Sequence, residues 1–557
     1  MVVCCYNSAA TLEDCLEGLG DLAYPAYEVI VVDDGSTDGT STIAERHDVR
    51  LIRTENRGLS RARNTGIEAA RGEIVAFIDS DARPDPDWLT HLALALESSD
   101  FVGVGGPNIA PPGDGLVAAC VAEAPGGPIH VLRTDREAEH IPGCNMAFRR
   151  AALLEIGGFD PQFRVAGDDV DLCWRFHARG WRIGFAPGAV VWHHARNSVR
   201  GYWKQQSGYG VAEAMLEAKW PEKYNVAGHV TWGGRVYGPG TLRFPFHRGR
   251  VYQGTWGQAP FQQREDPAPN VLWEAVAMPE WYMIIGALAV LALLGLSWPP
   301  LRLAGVFAAC CGMLTLARAV VGARHANFDR QLGGLRERMA FRALALGLHL
   351  MQPLARLQGR WLRGLVPWRS RARSRRVLWP RRRQLRFWRG ASVHPTASVL
   401  EHVEAVLRQE GCVVRRDGGY EDWDLEVEGG ALGASRLRSL TEWHEGGHRL
   451  LRFSVEPHTR GLAWVMVVSA GLLGLWSLGA GATAAGLILV AAAALAGLRA
   501  SWEVGTTSAA LCDAICTAVE RDHAAAVASQ RAPGTEPLNE SEATPGRDGP
   551  VWLPATG

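Results

Sequence analysis

The chain of 557 residues lacks the patterns that usually mark a disulfide framework, a zinc site or a phosphate-binding loop. Its eleven cysteines include no CxxC pair and have no regular spacing, which indicates a reducing compartment. Cys512 and Cys516 lie one helical turn apart, but without histidine partners packing is favoured over a metal site. No GxGxxG follows the first apolar run and no GxxxxGK[ST] occurs, which argues against dinucleotide oxidoreductases and P-loop ATPases.

Two further absences concern charge and targeting. Lysine plus arginine and aspartate plus glutamate balance at 58 each, yet no acidic residue occurs between Arg338 and Leu400. No signal peptide is expected at the start, because Met1 leads directly into an apolar strand pattern without a basic segment.

Residues 2–106 alternate short apolar runs with amphipathic helical patterns. The predicted strands are Val2–Tyr6, Tyr27–Val32, Val49–Arg53, Ile74–Ile78 and Phe101–Gly105. The predicted helices are Ala9–Leu22, Thr40–His47, Ser60–Ala70 and Trp88–Leu96. This alternation predicts an α/β fold in which right-handed βαβ units build a parallel sheet with helices on both faces.

The run Ile74–Ile78 ends in two carboxylates, Asp79 and Asp81. Ligands of open α/β sheets bind at the carboxyl ends of strands, and hard oxygen ligands there suit Mg²⁺ or Mn²⁺ carrying a diphosphate. The alternative is a helix N-cap, since Asp81 precedes Pro84 and further acidic residues. The pair alone does not decide between these interpretations.

Six segments in a fixed order carry a resemblance to a known family. They are Tyr6-Asn7, Val31–Asp38, Ala62–Gly66, Asp79-Ser80-Asp81, Gly143–Arg149 with Gly157–Asp160, and Gly167–Arg175. Together they resemble the inverting family-2 glycosyltransferases of the GT-A fold, membrane-anchored bacterial type, over residues 1–225. The resemblance implies a nucleotide-binding, parallel or mixed sheet. The sequence departs from the family pattern at two places. The first strand begins directly at Met1, and the last segment reads Asp168-Asp169 where Glu-Asp is commoner.

The resemblance implies donor-binding residues, which are Tyr6, Asp33, Asp34, Arg63 and Asp79. Asp34 would accept a hydrogen bond from the base and Tyr6 would offer a stacking face. For Tyr6 a core position at a strand end is the alternative, and Asp33 could instead cap the turn that follows it.

The resemblance also implies a metal shell and a general base. Asp81 is the expected direct ligand of Mg²⁺ or Mn²⁺, and Asp79 is expected to contact the sugar or a metal-bound water. His193 is expected to complete the metal shell; the alternative for His193 is a histidine that only forms hydrogen bonds within the protein. Asp169, at a helix start where the dipole favours a carboxylate, is the expected base. Asp171 either orients the acceptor or pairs with Arg175, and a capping cluster is the alternative for the whole segment.

Four apolar runs in two close pairs follow, and we expect each to span a membrane. In chain order, the predicted regions are a catalytic domain (1–225), a wrapped linker (226–280), a first transmembrane hairpin (281–321), an interfacial helix with an arginine-rich belt (322–390), a small α+β domain (391–460), a second hairpin (461–499) and a C-terminal helix with a disordered tail (500–557). The arginines predict a cytoplasmic loop and hence a cytosolic catalytic domain and termini at the cell (inner) membrane. We expect membrane lipids rather than nucleic acid as their partner.

The expected function is inverting transfer of a sugar from a nucleoside diphosphate to a lipid-linked or glycan acceptor, and a UDP-sugar is the expected donor. Residues 201–210 occupy the place where processive synthases carry QxxRW, but no Arg-Trp pair follows either glutamine. Long-polymer synthesis is therefore not favoured. The alternatives are a catalytically inactive scaffold and a polysaccharide export component, although the spans hold few ionisable residues.

Overall fold

The computed structural model describes residues 1–530 except 112, 234, 238–274, 327–333, 373, 375–376, 390–395, 417–420 and 446–447. The predicted tail lies largely outside the described residues, as does most of the linker. The chain divides into two compact units. One comprises Met1–Lys219, Val230–Ala292 and Leu303–Leu365, and the other comprises Trp220–His229, Leu293–Arg302 and Val366–Gly557.

The first unit begins with the predicted alternation of strands and helices. Its elements are β1 (Val2–Cys5), α1 (Leu12–Gly20), β2 (Ile30–Asp33), α2 (Thr40–Ala44), β3 (Arg50–Arg53), α3 (Leu59–Ala69), β4 (Ile74–Asp79), β5 (Ala82–Pro84), α4 (Trp88–Glu97) and β6 (Gly103–Gly105). Next come β7 (Asn108–Ile109), α5 (Leu116–Ala122), β8 (His130–Leu132), β9 (Glu137–His140), β10 (Asn145–Arg149), α6 (Arg150–Ile156), α7 (Asp168–Ala178), β11 (Ile183–Phe185), β12 (Val191–His193) and α8 (Val199–Lys219). They are followed by β13 (Arg235–Tyr237), α9 (Pro279–Leu294), α10 (Leu303–His325) and α11 (Leu335–Leu362).

The main sheet is mixed. Within the described residues its strand order is β13-β8-β9-β11-β6-β10-β4-β1-β2-β3. β1 pairs in parallel with β2 and β4, which sets Cys5 beside Asp33 and Cys4 beside Asp79. The acidic ends of β2 and β4 therefore lie at one edge, as the sequence predicted. On its other side β4 pairs antiparallel with β10.

The strand β13 was not predicted, because the segment 226–280 has no clear period. It pairs antiparallel with β8 and extends the main sheet. A separate small sheet has the order β5-β12-β7 and brings the end of β12 next to the start of β5. His193 is thereby placed opposite Ala82, one residue after Asp81.

The helix α11, expected to lie in the membrane interface, packs one face against α8 within this unit. Gly210 and Gly359 form the crossing: a Cβ on Gly210 would overlap the carbonyl oxygen of Arg356, and one on Gly359 that of Ser207. The crossing carries a polar cluster. Gln206 is fully buried, donates to Gly126 O at 3.0 Å and accepts from Gln352 at 3.2 Å.

The second unit contains the predicted α+β domain. Its elements are β14 (Arg383–Arg389), α12 (Thr396–Gln409), β15 (Val413–Arg416), β16 (Leu425–Glu428), β17 (Gly433–Trp443), β18 (Arg449–Thr459), α13 (Gly461–Gly479) and α14 (Thr483–Gln530). Its sheet has the order β14-β18-β17-β16-β15 among the described residues. The arginine-rich belt thus supplies an unpredicted strand, β14, because Leu385 and Phe387 face the core between arginines.

The apolar runs form helices at the predicted places. In the described part of the chain, three stretches are long and apolar enough to cross a membrane: Pro299–Arg324, Gly461–Gly479 and Thr483–Arg521. The first predicted span, α9, is a shorter apolar helix; its 16 residues reach about 24 Å, less than the ~30 Å hydrocarbon core. α14 joins the end of the predicted second hairpin (461–499) to the predicted C-terminal helix without a break, and its later turns pack on the sheet through residues such as Leu511 and Ile515.

Candidate active site

The donor side of the site follows β1 and β2. Tyr6 is 52% exposed, so it is not the buried core residue that the alternative required. The carboxylate of Asp34 accepts the backbone N–H groups of Arg57 at 2.9 Å and Gly58 at 2.7 Å. Asp33 accepts the N–H of Ser36 at 2.9 Å, which is the turn-capping contact considered for it. The contacts of Tyr6, Asp33 and Asp34 with a nucleotide stay predictions.

Arg63 of α3 lies beneath the site and connects three segments. Its guanidinium donates to Asp168 at 2.5 Å, to Asp79 at 3.2 Å and to the carbonyl oxygen of Gly143 at 3.0 Å. Burial opposes the charge, but Asp168 and Asp79 outweigh it and raise the pKa of Arg63 further. The guanidinium therefore stays charged and fixes the positions of two carboxylates. A direct contact between Arg63 and the donor stays a prediction.

Asp81 and His193 are brought together as the metal hypothesis requires. His193 Nε2 lies 3.3 Å from Asp81 Oδ1, and Arg196 Nη1 lies 3.0 Å from Asp81 Oδ2. Burial disfavours the ionised form of Asp81, but His193 and Arg196 outweigh it and lower the pKa of Asp81. Asp81 is thus an ionised carboxylate that lies between the imidazole of His193 and the guanidinium of Arg196.

A group of possible metal ligands in the described residues consists of Asp79, Cys144 and His193. Each offers one ligand atom, and the three atoms lie within 4.8 Å of one another. This donor set, with one oxygen, one nitrogen and one sulfur atom, fits a divalent cation. Cys144 was missed by the sequence reasoning, although Asn145 pairs with Ile78 and so sets Cys144 beside Asp79. Burial, reinforced by Asp79, raises the pKa of the Cys144 thiol, so the thiol is protonated without a cation.

Asp168 and Asp169 begin α7, directly after Gly167. Gly167 has φ +88, a conformation that favours glycine and turns the chain into the helix. Asp169 Oδ2 accepts the N–H of Gly143 at 2.9 Å and lies 3.5 Å from His140 Nε2. Burial opposes ionisation, but His140, Arg63 and the Gly143 N–H outweigh it and lower the pKa of Asp169 to about 2. Its side chain is 19% exposed, and its other oxygen, Oδ1, accepts the N–H of Val170 at 2.8 Å.

Asp171 has a different environment from Asp169. Its side chain is fully buried, and its oxygens pair with Arg175 at 2.8 Å and Lys219 at 2.6 Å. The pairing with Arg175 is the alternative that the sequence left open. Lys219 also contacts Asp160, so the cluster joins α7 to the end of α8. We therefore propose that Asp171 has a structural role, and its part in orienting the acceptor stays untested.

Known proteins resemble the first part of this chain. Residues 1–157 match the model of the family described as glycosyl transferase family 2. The poly-beta-1,6-N-acetyl-D-glucosamine synthase of Staphylococcus epidermidis is 27% identical over 241 residues, which cover 40% of this chain and 56% of that protein. The pre-mycofactocin glycosyltransferase of Mycobacterium tuberculosis is 31% identical over 212 residues, which cover 35% of this chain and 43% of that protein.

Among solved structures, a mannosyltransferase of Pyrobaculum calidifontis in complex with GDP-Man and Mn²⁺ is 27% identical, with a TM-score of 0.31 over 40% of this chain and 64% of that one. The chain spans about half the length of the curated relatives that it matches. The family model covers the sheet edge that carries Asp34, Asp79 and Asp81. The N-terminal region of this chain is therefore a family 2 glycosyltransferase domain with the mixed α/β sheet of the GT-A fold.

Proposed function

We propose that the chain is a membrane-bound, inverting glycosyltransferase that moves a sugar from a nucleoside diphosphate, a UDP-sugar by preference, to a hydroxyl acceptor. The observation that carries this proposal is that Arg63 connects two separate sets of acidic residues, one at the end of β4 and one at the start of α7. Asp79 and Asp81 lie at the end of β4, and Asp169 lies at the start of α7 with a low pKa. One group suits the diphosphate side and the other suits the acceptor side.

The donor would bind at the edge formed by β1, β2 and β4. Tyr6 is exposed there and can stack on the base, while Asp34 is held by the N–H groups of Arg57 and Gly58 in a fixed position for a polar contact. Arg196, 48% exposed beside Asp81, can approach the phosphates. A cation held by Asp79, Asp81 and His193, with Mg²⁺ or Mn²⁺ proposed, would supply Lewis-acid stabilisation of the leaving diphosphate.

Asp169 would act on the acceptor. An ionised carboxylate oxygen accepts the proton of the acceptor hydroxyl as its oxygen bonds to C1 of the sugar. The bond from C1 to the diphosphate oxygen breaks on the opposite side, so the configuration at C1 inverts. The hydrogen bond from Gly143 and the nearby His140 keep Asp169 ionised and oriented. No covalent sugar–enzyme intermediate is needed.

The membrane segments support an acceptor at a membrane surface. The region Arg338–Leu400 holds many arginines and no acidic residue, which favours the cytoplasmic side of a membrane with anionic lipids. We therefore propose a multi-pass protein of the cell (inner) membrane with a cytosolic catalytic domain and cytosolic termini, an arrangement that requires the 16-residue helix α9 to cross together with the three longer stretches. The acceptor would be a lipid-linked or glycan molecule used in cell-surface glycan or glycolipid synthesis.

A panel of labelled nucleotide sugars, incubated with membranes that contain the chain, tests the proposal. We expect one donor to be consumed and its sugar to enter a membrane-associated product, with the anomeric configuration inverted. Excess chelator should abolish this transfer, and Asp81→Asn should weaken cation-dependent donor binding. No consumption of any donor would favour the inactive-scaffold alternative, and full transfer in excess chelator would remove the proposed role of the cation.

A further inference from the structure

Cys144 belongs to the same group of side chains as Asp79 and His193, although neither the metal ligands that the resemblance implies nor the proposed mechanism include it. Its side chain is 3% exposed, and its sulfur lies within 4.8 Å of a carboxylate oxygen of Asp79 and of a ring nitrogen of His193. Two ligands of a tetrahedral cation with bonds of 2.0–2.3 Å are about 3.3–3.8 Å apart. Side-chain shifts of about 1 Å would therefore let all three atoms bind one ion.

The backbone around Cys144 is held in place by its neighbour Asn145. The Asn145 side chain is fully buried, donates to the carbonyl oxygens of Pro107 at 3.0 Å and Ala189 at 2.8 Å, and accepts from Trp88 Nε1 at 2.8 Å. Pairing with β4 fixes the register of the same residue. The position of Cys144 beside Asp79 is thus set by the fold, which is the condition for a preorganised metal ligand.

We propose that Cys144 provides a sulfur ligand to the divalent cation of this site and gives it a preference for thiophilic cations, such as Zn²⁺ and Cd²⁺, over Mg²⁺. When the cation binds, the bond between sulfur and metal forms and the thiol proton leaves to solvent, with no change of oxidation state. A thiolate, an imidazole and a carboxylate form a softer donor set than the all-oxygen shells that Mg²⁺ uses. Mn²⁺ and Co²⁺ would bind with intermediate preference.

This proposal deepens the proposed function and rests on it only for the use of the ion in transfer. Binding is therefore measured without any sugar donor, on the full chain in detergent. Co²⁺ is the first probe, because sulfur ligation produces a charge-transfer absorption band in the near ultraviolet. Cd²⁺ and Mg²⁺ affinities are measured by competition with a chelating dye. The variants are Cys144→Ser and Cys144→Ala, and Cys120→Ser is the control, since Cys120 is also buried but contacts the carbonyl oxygen of Phe341.

We expect the wild-type chain and Cys120→Ser to show the band, and both Cys144 variants to lose it. Loss of a group that only hydrogen-bonds a metal ligand already weakens binding by about 10–100-fold, so the affinity for Cd²⁺ should fall at least tenfold. The affinity for Mg²⁺ should change little. Absence of the band in Co²⁺-treated wild type, or an undiminished band in the Cys144 variants, would overturn the proposal, and the wild-type spectrum decides even if the variants fail to fold. Normal cation results without turnover of any donor would instead refute only the proposed transfer.

Discussion

Arg63 and Asp168 form an ion pair in which the side chains are only 3% and 2% exposed. The same guanidinium reaches Asp79 and the Gly143 carbonyl, so one buried cation connects the end of β4, the segment before β10 and the start of α7. A single residue of α3 thereby sets the distance between the proposed diphosphate and acceptor sides. This relationship explains why a buried arginine is needed between the carboxylates of Asp79 and Asp168.

Replacement of Arg63 by methionine should destabilise the protein strongly. The variant leaves Asp168 buried without its cation, and breaking a buried pair in this way costs about 3–5 kcal/mol. The apparent Tm of the full chain in detergent should therefore fall by several degrees or more. Arg57→Met is the matched control, because Arg57 pairs with Glu55 at the exposed surface. Equal Tm values for the two variants would contradict the organising role of Arg63.

The glycine crossing between α8 and α11 predicts a position-specific effect of alanine. Gly359→Ala would place a methyl group against the backbone of Ser207 and Val211, so it should lower the Tm and the transfer rate together. Gly347→Ala in the same helix is the control, because no atom lies within 4 Å of its added Cβ. That control should be neutral or stabilise by up to about 1 kcal/mol, since alanine favours helix more than glycine does. Tolerance of Gly359→Ala at wild-type Tm would show that α11 does not pack on α8.

The sequence predicted the parts of the site that depend on local pattern. The apolar run Ile74–Ile78 forms β4, and Asp79 and Asp81 lie at its end as expected. Cys144 could not be placed in the same way, because its approach to Asp79 depends on the pairing of β4 with β10, whose residues lie far apart in the chain. The pairing of Arg63 with Asp168 likewise joins helices that are distant in sequence.

The strand β14 was not predicted from the sequence, because its many arginines obscure the alternation of apolar and polar residues that is typical of a strand. Among the described side chains of Arg383–Arg389, Leu385 and Phe387 pack on the core, and the arginines around them suggested a membrane-surface belt rather than a strand. The sequence predicted a second hairpin that ends at residue 499 and a separate C-terminal helix after it, whereas α14 runs through both, since the fall in hydropathy marks a change of environment and not a break in the helix. Both differences arise from tertiary packing, which local composition does not encode.

The topology proposal predicts protection of two sites and exposure of a third. Epitope tags with a protease site, inserted beside Gly390 or added at the C-terminus, should resist external protease in sealed cells. A tag at Gly481, in the turn between α13 and α14, should be cleaved because this turn would face outside. Cleavage of either protected tag, or protection of the Gly481 tag, would reverse or break the proposed arrangement.

The lowered pKa of Asp169 predicts that the ratio of wild-type to Asp169→Asn turnover does not depend on pH between pH 5 and pH 8. With a pKa of about 2 the carboxylate is ionised throughout pH 5–8, so protonation does not remove the base in this range. The ratio of wild-type to Asp169→Asn turnover should therefore stay constant from pH 8 to pH 5, and it should fall only as the pH approaches the pKa. Other titrating groups affect both proteins and cancel in the ratio. A ratio that declines toward one between pH 7 and pH 5 would show that the pKa of Asp169 is raised well above the ordinary aspartate value of about 3.9, because a carboxyl at that value is still ionised at pH 5.

The role of Asp169 as general base is the central claim, and Asp169→Asn addresses it with little change of volume. The amide cannot accept the acceptor proton, and a positioned base contributes about 10²–10⁴-fold to the rate. Donor affinity should be preserved, because Asp169 serves the acceptor and not the diphosphate. Asp171→Asn is the comparison: its buried pairs with Arg175 and Lys219 predict a lower Tm and a smaller loss of turnover in the folded enzyme.

The most direct measurement pairs calorimetric nucleotide affinity with the initial transfer rate, for wild type, Asp169→Asn and Asp171→Asn in detergent. We predict that Asp169→Asn binds nucleotide within a factor of about two of wild type, while its turnover falls by at least about 100-fold. Near-normal turnover of Asp169→Asn together with an inactive but folded Asp171→Asn would assign the base to Asp171. Activity in both variants would contradict the assignment of this helix start to catalysis.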